Sequence, residues 1–520
     1  MSRAFPPGLS EQQFERALAA FAAVIGSEAV LSTDSDRHAY RDIYDHRPQD
    51  RHLPGAALAP ASVEEVQAIV RIASEHRVPL WPISRGKNMG YGGSAPRLAG
   101  TVVLDLSRMN RILDIDVKHG HVLLEPGVTF FDLFAVLQEN DIPLWLSVPS
   151  NSLGSVVGNA LDRGNGYTPY GDHASKVCGM ELVMPDATLL RTGMGALPDS
   201  VTWQLYKYGY GPSWDQVFMQ SNYGIVTKMG LWLMPEPEST LTLKMQCPNE
   251  EDIGWIIDAV GPLRRRNIIQ HNPNIGNFMQ FAMTMTSRSD WYDGAGAVPA
   301  EVEAAIMQKL GLGWWHVNLT LYGYDEVNEF HAGLVRKAFA EHTSQPFEVH
   351  KWHRGQPLDI ESGAGVPMTL PLNMVNWAGG RGGHLEFSPV LPQDGARCLR
   401  QLQRSRALFR QYGVDYYGSY TVGERHVNKI NMIVFNKDDA DQTQRCHQLF
   451  HDLVAEGAAD GYGEYRTHLS YMDTVAATYS FNDHALLRLN EQFKDLVDPK
   501  GIIAPGKQGI WPKTLRERKT

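Results

Sequence analysis

The stretch Ser84-Arg85-Gly86-Lys87-Asn88-Met89-Gly90-Tyr91-Gly92-Gly93 lies in the first quarter of the chain and decides its architecture. It follows the apolar run Val78 to Ile83, which predicts a short buried strand. Its glycines let the backbone take positive φ and approach a ligand closely. Successive N–H groups in such a loop form a concave anion site, to which Arg85 and Lys87 add positive charge. The loop therefore predicts a diphosphate site, with a glycine-rich surface turn as the alternative.

Composition points to a globular enzyme rather than to a nucleic-acid or membrane protein. Hydrophobic residues make up 43% of the 520 residues and charged residues 20%, and this length predicts two or three domains. The net charge of −10 argues against nucleic acid as the main partner, because phosphate binding needs clustered Lys and Arg. The four cysteines form no CxxC pair, so we expect no metal site and no disulfide framework.

The cellular compartment is predicted from the absence of targeting signals. No apolar run reaches membrane-spanning length, so no membrane partner is expected. Met1 to Leu9 lack a basic region followed by an apolar core, which is the pattern of a secretory signal. The sequence therefore predicts a cytoplasmic protein.

Helix and strand signals alternate through the N-terminal part of the chain. Ser10 to Ile25 predicts a helix, and Ser62 with Glu65 forms a capping box before another. Thr101 to Leu106 predicts a strand, and Arg111 to Asp116 is expected to continue the same sheet. A second glycine-rich region at 150–172 has small residues that suit a backbone lying against a flat ring.

The pattern changes near Pro235 and Pro237, which mark a predicted domain boundary. From about residue 238 helices and strands alternate without another glycine-rich loop of this kind, which predicts an α+β domain that supplies a substrate cavity. From Gly461 onward the sequence again resembles the part of the chain before Pro235.

Seven stretches taken together resemble the vanillyl-alcohol oxidase and para-cresol methylhydroxylase (PCMH) family of flavoproteins. The resemblance covers nearly the whole chain, and bacterial eugenol-oxidase-like and para-alkylphenol-oxidising members look most similar. It implies an α+β fold, with a PCMH-type FAD-binding domain split into residues 1–236 and 462–520 and a cap domain at 237–461. The stretches are PISRGKNMGYGGSAPR (82–97), LLEPGVTFFDL (123–133), GNALDRGNGYTPYGDH (158–173), RTGMGALP (191–198), QSNYGIVTKMG (220–230), GYGEYRTH (461–468) and GIIAPGKQGIW (501–511).

The resemblance implies FAD joined covalently through its 8α-methyl carbon to His384, in Gly382-Gly383-His384. This bond needs a neutral imidazole on a closely approaching backbone, which the two glycines permit. The alternative is a histidine in a turn before a strand. The implied FAD contacts are Ser84, Arg85, Gly86, Lys87, Asn88, Gly90, Pro126, Gly127, Gly158, Asn159, Gly166, Tyr170, Gly171, Gly224, Ile225 and Lys507.

Tyr91, Tyr465 and Arg466 look like the family's phenol-binding set, and Tyr167 matches a tyrosine near the same pocket. Hydride leaves the benzylic carbon of a para-substituted phenol more easily from the phenolate, because the developing cation becomes a neutral quinone methide. Ionising a phenol of pKa about 10 near pH 7 requires about 4 kcal/mol. One guanidinium with two tyrosine hydroxyls in a dry pocket can supply that. The alternative for each tyrosine is a core aromatic residue.

Two positions depart from the family pattern. Ser150 stands where the family's oxidases carry an aspartate near flavin N5. Val427-Asn428-Lys429 stands where many members have a His-His pair, with His426 nearby. Without an acid to activate water, a longer substrate side chain can lose a proton and give a vinyl product.

The sequence therefore predicts FAD-dependent oxidation of para-alkylphenols or para-hydroxybenzylic alcohols, by hydride transfer to flavin N5. Dioxygen is the expected acceptor and gives hydrogen peroxide. The main alternative is the flavin subunit of a dehydrogenase that passes electrons to a cytochrome. A non-catalytic flavin-binding protein and a sugar or hydroxy-acid oxidoreductase are the remaining alternatives. The resemblance also implies a homodimer or a higher homo-oligomer.

Overall fold

The N-terminal part of the chain is built on a small, mainly parallel sheet. In the computed structural model, which describes residues 4–45 and 49–516, this sheet has the strand order β1-β2-β4-β3. Strands β2 and β3 run parallel to β4, and β1 is antiparallel to β2. The elements are α1 (Glu11–Ile25), β1 (Val30–Leu31), α2 (Asp34–Ala39), β2 (Ala56–Leu58), α3 (Val63–His76), β3 (Leu80–Ile83) and β4 (Val102–Asp105).

Helix α3 shows why this part folds as predicted. The Ser62 hydroxyl accepts a hydrogen bond from the Glu65 N–H (3.2 Å), which caps the helix. The Glu65 carboxylate accepts from the Ala61 N–H (2.7 Å) instead of closing the predicted capping box on Ser62. The apolar side of α3 is buried in the same core as the parallel strands. Met1 to Arg3, the first part of the Met1 to Leu9 segment that lacks the pattern of a secretory signal, lie outside the described residues.

A second, antiparallel sheet comes next in the chain, with the strand order β5-β6-β10-β8-β9. The prediction that Arg111 to Asp116 continues the first sheet is wrong, because this segment pairs with β6 in the second sheet. Arg111 ties the two ends of the β5–β6 hairpin together, since its N–H and guanidinium both donate to the Glu125 carboxylate. The elements are β5 (Ile112–Asp116), β6 (His121–Leu124), α4 (Phe130–Glu139), β7 (Leu144–Trp145), α5 (Val156–Leu161), α6 (His173–Lys176), β8 (Val177–Val183), β9 (Leu189–Arg191), α7 (Asp215–Phe218), β10 (Ile225–Trp232) and β11 (Met234–Pro235).

Residues 239–459 form a large antiparallel sheet with helices packed on it. Its strand order is β15-β12-β14-β13-β18-β19-β16, and β17 also pairs with β19. The elements are β12 (Ser239–Cys247), α8 (Ile253–Arg265), β13 (Asn274–Asn277), α9 (Phe278–Met285), α10 (Ala300–Leu310), β14 (Trp315–Gly323), α11 (Asp325–Ala340), β15 (Glu348–His353), β16 (Gly382–Phe387), β17 (Val390–Pro392), α12 (Gly395–Gln411), β18 (Tyr417–Val422), β19 (His426–Asn436) and α13 (Ala440–Ala459).

The C-terminal segment returns to the first sheet. It contains α14 (Met472–Thr478), α15 (Phe481–Val497) and α16 (Lys513–Arg516). The Leu80 N–H donates to the Ile502 carbonyl (2.7 Å), and the Ala504 N–H donates to the Leu80 carbonyl (2.7 Å). Ile502 and Ile503 are buried in the same core as α3. Within the described ranges, the structure contains no helix whose length and apolar character would let it cross a membrane.

Candidate active site

The loop after β3 is held in a conformation that only glycine adopts easily. Gly86 and Gly90 have φ values of 61° and 82°, in the left-handed region. The backbone N–H groups of residues 85–90 have no hydrogen-bond acceptor among the residues that the structure describes. Unpaired amides on a glycine-rich turn are the groups that bind a diphosphate. The geometry of this loop therefore fits the ligand that its sequence predicts.

The loop forms one end of a cavity of about 320 Å³ that extends to the large sheet. The cavity wall brings together most of the predicted site residues from distant parts of the chain, which shows how the fold assembles the site. The lining includes Ser84, Arg85, Gly86, Lys87, Asn88, Tyr91, Pro126, Ser150, Gly158, Asn159, Tyr167, Gly224, Ile225, His384, Tyr465, Arg466 and Lys507.

Five predicted FAD contacts lie elsewhere. Gly90 is not in the cavity wall, but a side chain there would overlap the ring of His384. Gly127 packs against the carbonyls of the turn at 106–109. Gly166 and Gly171 face each other in a turn, and the Tyr170 ring lies 4.6 Å from the Lys176 ammonium. These last four residues shape the loops behind the cavity rather than its surface.

His384 lies on β16 with its side chain buried, 2% exposed. The ring of Tyr44 lies 4.9 Å from its own ring, and its Nδ1 has no hydrogen-bond partner among the described residues. Burial lowers the pKa of His384, although the carboxylates of Glu386 and Asp42 oppose the shift. The imidazole is therefore neutral near pH 7. A neutral imidazole with a free nitrogen fits the nucleophile that a covalent flavin bond needs.

Behind His384 lies a buried pair that the sequence did not indicate. His468 Nε2 lies 2.6 Å from the Asp42 carboxylate, and the other ring nitrogen accepts from the Ser470 N–H (3.1 Å). Burial raises the pKa of Asp42, but its hydrogen bond to His468 and the attraction of that ring oppose the rise, and the net shift is downward. The pair joins the N-terminal segment to the segment that carries Tyr465 and Arg466.

Tyr91 and Arg466 are in direct contact in the cavity wall. Arg466 Nη2 donates to the Tyr91 hydroxyl (3.1 Å), and the guanidinium carbon lies 4.1 Å from the centre of the Tyr91 ring. The Tyr465 ring lies 5.6 Å from the same guanidinium. The two tyrosines and the arginine that the sequence predicts as one set are therefore adjacent in the structure.

Next to the predicted phenol-binding set lies a carboxylate, Glu386, that the sequence did not indicate. The Tyr91 hydroxyl donates to Glu386 Oε2, and Glu386 Oε1 lies 3.7 Å from His384 Nδ1. His384 and Glu386 are two residues apart on β16, so they lie on the same face of the strand. That two-residue spacing in Gly-Gly-His-Leu-Glu is the signal that could have found Glu386.

Arg466 supplies the positive charge of this group, which can pair with a bound anion. Burial alone would lower the pKa of Arg466, but Tyr91, Tyr465 and the nearby carboxylate raise it, so the guanidinium stays charged. Burial raises the pKa of Tyr91 well above its usual value, with the arginine opposing and the carboxylate adding to the shift. Tyr91 is therefore neutral near pH 7 and can donate a hydrogen bond.

Ser150 and Tyr167 form a second polar pair in the cavity wall. The two hydroxyl oxygens are 2.6 Å apart. Burial raises the pKa of Tyr167, and the bond to Ser150 only partly opposes this. Ser150 and Tyr167 thus present a neutral hydroxyl pair in the cavity wall.

The large sheet closes the cavity with alternate residues of β18 and β19. Odd-numbered residues of β18 and even-numbered residues of β19 face the cavity, because side chains alternate along a strand. Asn428 lines the cavity, whereas Lys429 is fully buried on the opposite face near the ring of Tyr420. His426 is not in the cavity wall. The lining residues are Tyr417, Ser419, Thr421, Asn428, Ile430 and Met432.

These features define a flavin-linked oxidoreductase fold. Residues 54–193 match the family described as FAD binding domain, and residues 368–508 match FAD linked oxidases, C-terminal domain. The glycine-rich loop with unpaired amides lies within the first of these segments, and His384, Glu386 and Arg466 lie within the second.

The chain belongs to the vanillyl-alcohol oxidase and para-cresol methylhydroxylase family. It is 35% identical over 519 residues to the 4-cresol dehydrogenase [hydroxylating] flavoprotein subunit of Pseudomonas putida, and the match covers 97% of each chain. It also matches the structure of 4-ethylphenol oxidase from Gulosibacter chungangensis in its isoeugenol complex, with a TM-score of 0.94, 35% identity and coverage of 98% and 100%. The structure of p-cresol methylhydroxylase with substrate bound matches with a TM-score of 0.93, 34% identity and coverage of 98% and 99%. The family and the PCMH-type fold that the sequence predicts are thereby confirmed.

Proposed function

We propose that this enzyme oxidises para-substituted phenols, namely para-alkylphenols or para-hydroxybenzylic alcohols, by removing hydride from the benzylic carbon. The observation that carries the proposal is the contact of Arg466 with Tyr91, beside Tyr465, in the cavity wall. The similarity to proteins named 4-cresol dehydrogenase and 4-ethylphenol oxidase supports it.

The role of this set is to bind the substrate as phenolate. Ionising a phenol near pH 7 costs about 4 kcal/mol, because its pKa is about 10. A guanidinium about 4 Å from the phenolate oxygen, at an effective dielectric constant of about 20, contributes about 4 kcal/mol. A hydrogen bond from the Tyr465 hydroxyl adds to this attraction, and Tyr91 adds another when its hydrogen is no longer donated to Glu386. The set can therefore offset the cost of ionisation.

FAD, when bound, supplies the hydride acceptor at its N5 atom. Ser84 to Asn88 and Gly90 are proposed to bind its diphosphate, and His384 to hold it covalently through the 8α-methyl carbon. The neutral, buried imidazole of His384 supports that bond. The apolar side chains of Ile430 and Met432 line the cavity and are proposed to exclude water from the reacting carbon.

The domain organisation proposed from the sequence is a FAD-binding domain made of residues 1–236 and 462–520, with a cap at 237–461. The hydrogen bonds between Leu80 and the 502–504 segment support a single N- and C-terminal unit. The separate sheet of residues 239–436 supports the cap.

The product depends on the reaction of the quinone methide left by hydride removal. The quinone methide is hydrated to an alcohol or loses a proton to give a vinyl product, and an alcohol substrate gives a carbonyl compound. Ser150 and Tyr167 offer a neutral hydroxyl pair instead of an acid, which favours proton loss from longer side chains.

Dioxygen is the proposed electron acceptor. The alternative is transfer of the electrons to a cytochrome. It is favoured by one observation, namely that the Pseudomonas putida relative is a dehydrogenase described as a flavoprotein subunit.

A homodimer is proposed as the smallest assembly. A surface loop exposes aromatic and aliphatic side chains, with Val201 90%, Tyr208 58% and Tyr210 105% exposed. Apolar side chains clustered on a surface mark protein contacts. Size-exclusion chromatography with light scattering tests the assembly, and a monomer would contradict it. The cytoplasmic location stays a prediction from the sequence.

One anaerobic experiment tests the function. Purified protein is mixed with para-ethylphenol without oxygen, the visible flavin absorbance is followed, and air is then admitted. Bleaching followed by rapid return of the yellow colour is the expected result and identifies an oxidase. Bleaching with slow return would favour the cytochrome-coupled alternative. No bleaching with any para-alkylphenol or benzylic alcohol would refute the proposed reaction.

A further inference from the structure

Glu386 is placed where a proton acceptor for the phenol is needed. Among the described residues of the cavity wall, the carboxylates are Glu386 and Asp162. Asp162 lies near Lys507 (3.5 Å) and Asn88 (3.0 Å), beside the glycine-rich loop. Glu386 instead accepts the hydroxyl hydrogen of Tyr91, at the phenol-binding set. Of these two carboxylates, Glu386 is therefore the one in hydrogen-bond contact with this set.

We propose that Glu386 receives the proton of the phenolic substrate through the hydroxyl group of Tyr91. The inference rests on the proposed function, because it names the base that the ionisation of the phenol requires. It makes Glu386 a catalytic residue of this chain in addition to the set predicted from the sequence.

The hydrogen bonds of Tyr91 leave room for this transfer. Its hydroxyl donates to Glu386 and accepts from Arg466, so one lone pair on the oxygen stays free. A phenol O–H can donate to that lone pair. The phenol proton then moves to the Tyr91 oxygen while the Tyr91 proton moves to the Glu386 carboxylate. The products are a phenolate, a neutral tyrosine and a neutral carboxylic acid, so the proton is conserved.

Charge balance favours the same transfer. Before it, the Glu386 carboxylate and the Arg466 guanidinium give the site a net charge of zero. A phenolate beside an ionised Glu386 would place two negative charges against one guanidinium, which a site of low dielectric disfavours. Moving the proton to Glu386 keeps the net charge at zero and leaves the guanidinium to pair with the phenolate.

Among the described groups around Glu386, the charged cation is Arg466. His384 is neutral near pH 7 because burial lowers its pKa, and burial raises the pKa of Glu464 well above its usual value. The remaining groups are neutral tyrosines and one guanidinium. The titratable and charged groups that interact with Glu386 are Tyr91, Tyr167, His384, Tyr417, Glu464 and Arg466.

The proton returns when the quinone methide is hydrated. Water adds its oxygen to the benzylic carbon and loses one proton to solvent. The neutral Glu386 gives its proton back through Tyr91 to the carbonyl oxygen, which becomes the phenol hydroxyl again. The Glu386 carboxylate is thereby restored for the next substrate.

Counting protons on ligand binding tests the proposal. The probe is para-bromophenol, which has no benzylic hydrogen to lose, and the variants are Glu386→Gln and Glu386→Asp in the FAD-loaded protein. Calorimetry in two buffers of different ionisation enthalpy counts the protons released, and ultraviolet difference spectra show whether the ligand is bound as phenolate. Glu424→Gln, which changes an exposed carboxylate in the turn between β18 and β19, is the matched control.

The wild type, the control and Glu386→Asp should bind phenolate and release no net proton at neutral pH. Glu386→Gln should release one proton for each phenolate bound or bind the un-ionised phenol. If Glu386→Gln binds phenolate and releases the proton, the kcat/KM of this variant for para-ethylphenol should rise about tenfold per pH unit. The kcat/KM of the wild type should not change with pH over the same range. Release of one proton by the wild type, or phenolate binding without release by Glu386→Gln, would overturn the proposal.

These outcomes are separate from the test of function. Failure of para-ethylphenol to bleach the wild-type flavin refutes the proposed reaction, whatever the proton count. Normal bleaching with an unchanged proton count in Glu386→Gln refutes only the role of Glu386. Equal FAD content and melting temperature in all variants exclude misfolding as the cause.

Discussion

Replacing Arg466 by glutamine removes the positive charge from the proposed phenol-binding set. The guanidinium carbon lies 4.1 Å from the Tyr91 ring centre, and Nη2 lies 3.1 Å from the Tyr91 hydroxyl. A phenolate oxygen bound to that hydroxyl lies about 4 Å from the guanidinium, where the attraction is about 4 kcal/mol at an effective dielectric constant of about 20. Its loss raises the pKa of the bound phenol by about 3 units, so only about one molecule in 10³ is ionised.

The assay is anaerobic stopped-flow reduction of the flavin by para-ethylphenol at pH 7. Arg466→Gln should reduce the flavin about 10³-fold more slowly, as the calculated loss of phenolate requires. An ortho-fluorinated para-ethylphenol has a more acidic hydroxyl. With this substrate the rates of flavin reduction by Arg466→Gln and by the wild type should therefore differ less. Arg466→Lys keeps the positive charge but loses the planar guanidinium with its paired donors. Its rate of flavin reduction should lie between those of the wild type and Arg466→Gln.

The control is Arg404→Gln, which changes a half-exposed arginine paired with Glu456 and Asp460 at 2.7 Å and 2.6 Å, outside the cavity wall. It should leave the rate of flavin reduction within about twofold of the wild-type rate, because surface ion pairs contribute little. A rate for Arg466→Gln close to that of the wild type would refute the phenolate mechanism. If Arg466→Gln slows flavin reduction by the same factor with the fluorinated and the unfluorinated substrate, Arg466 does not act on the ionisation of the phenol.

Three further variants test other parts of the site. His384→Ala should release its FAD on acid denaturation, whereas the wild-type polypeptide stays fluorescent; release of FAD from the wild type would contradict the covalent bond. Ser150→Asp places a carboxyl beside the Tyr167 hydroxyl, so the ratio of alcohol to vinyl product from para-ethylphenol should rise, and an unchanged ratio in chromatography would refute a role for this position. Asp42→Asn breaks the buried pair with His468 and should cost about 3 kcal/mol of stability at pH 7. Because the pKa of Asp42 is lowered in the folded protein, the loss of melting temperature should shrink as pH falls below about 4; a loss that is the same at every pH would contradict the pairing.

Local sequence determined the elements that depend on neighbouring residues. The capping serine and the apolar periodicity of α3 specify that helix, because both act within a few turns of chain. The glycines of the 84–93 loop specify a backbone of positive φ, which was observed at Gly86 and Gly90. Local sequence did not determine how strands pair. The sequence of Arg111 to Asp116 predicts a strand but not its sheet, and the contacts with β6 place it in the second sheet.

The motifs also indicated most of the cavity wall, because the functional groups of residues such as Tyr465 and Arg466 are known from the sequence itself. The relations between motifs required the tertiary structure. Tyr91 and Glu386 are far apart in the sequence, and their hydrogen bond exists because the fold brings β16 against the loop after β3. The same holds for Asp42 and His468 behind His384. Sequence determined which groups are available, whereas tertiary packing decided which of them share a proton or a charge, since hydrogen bonds and Coulomb interactions depend on distance in space.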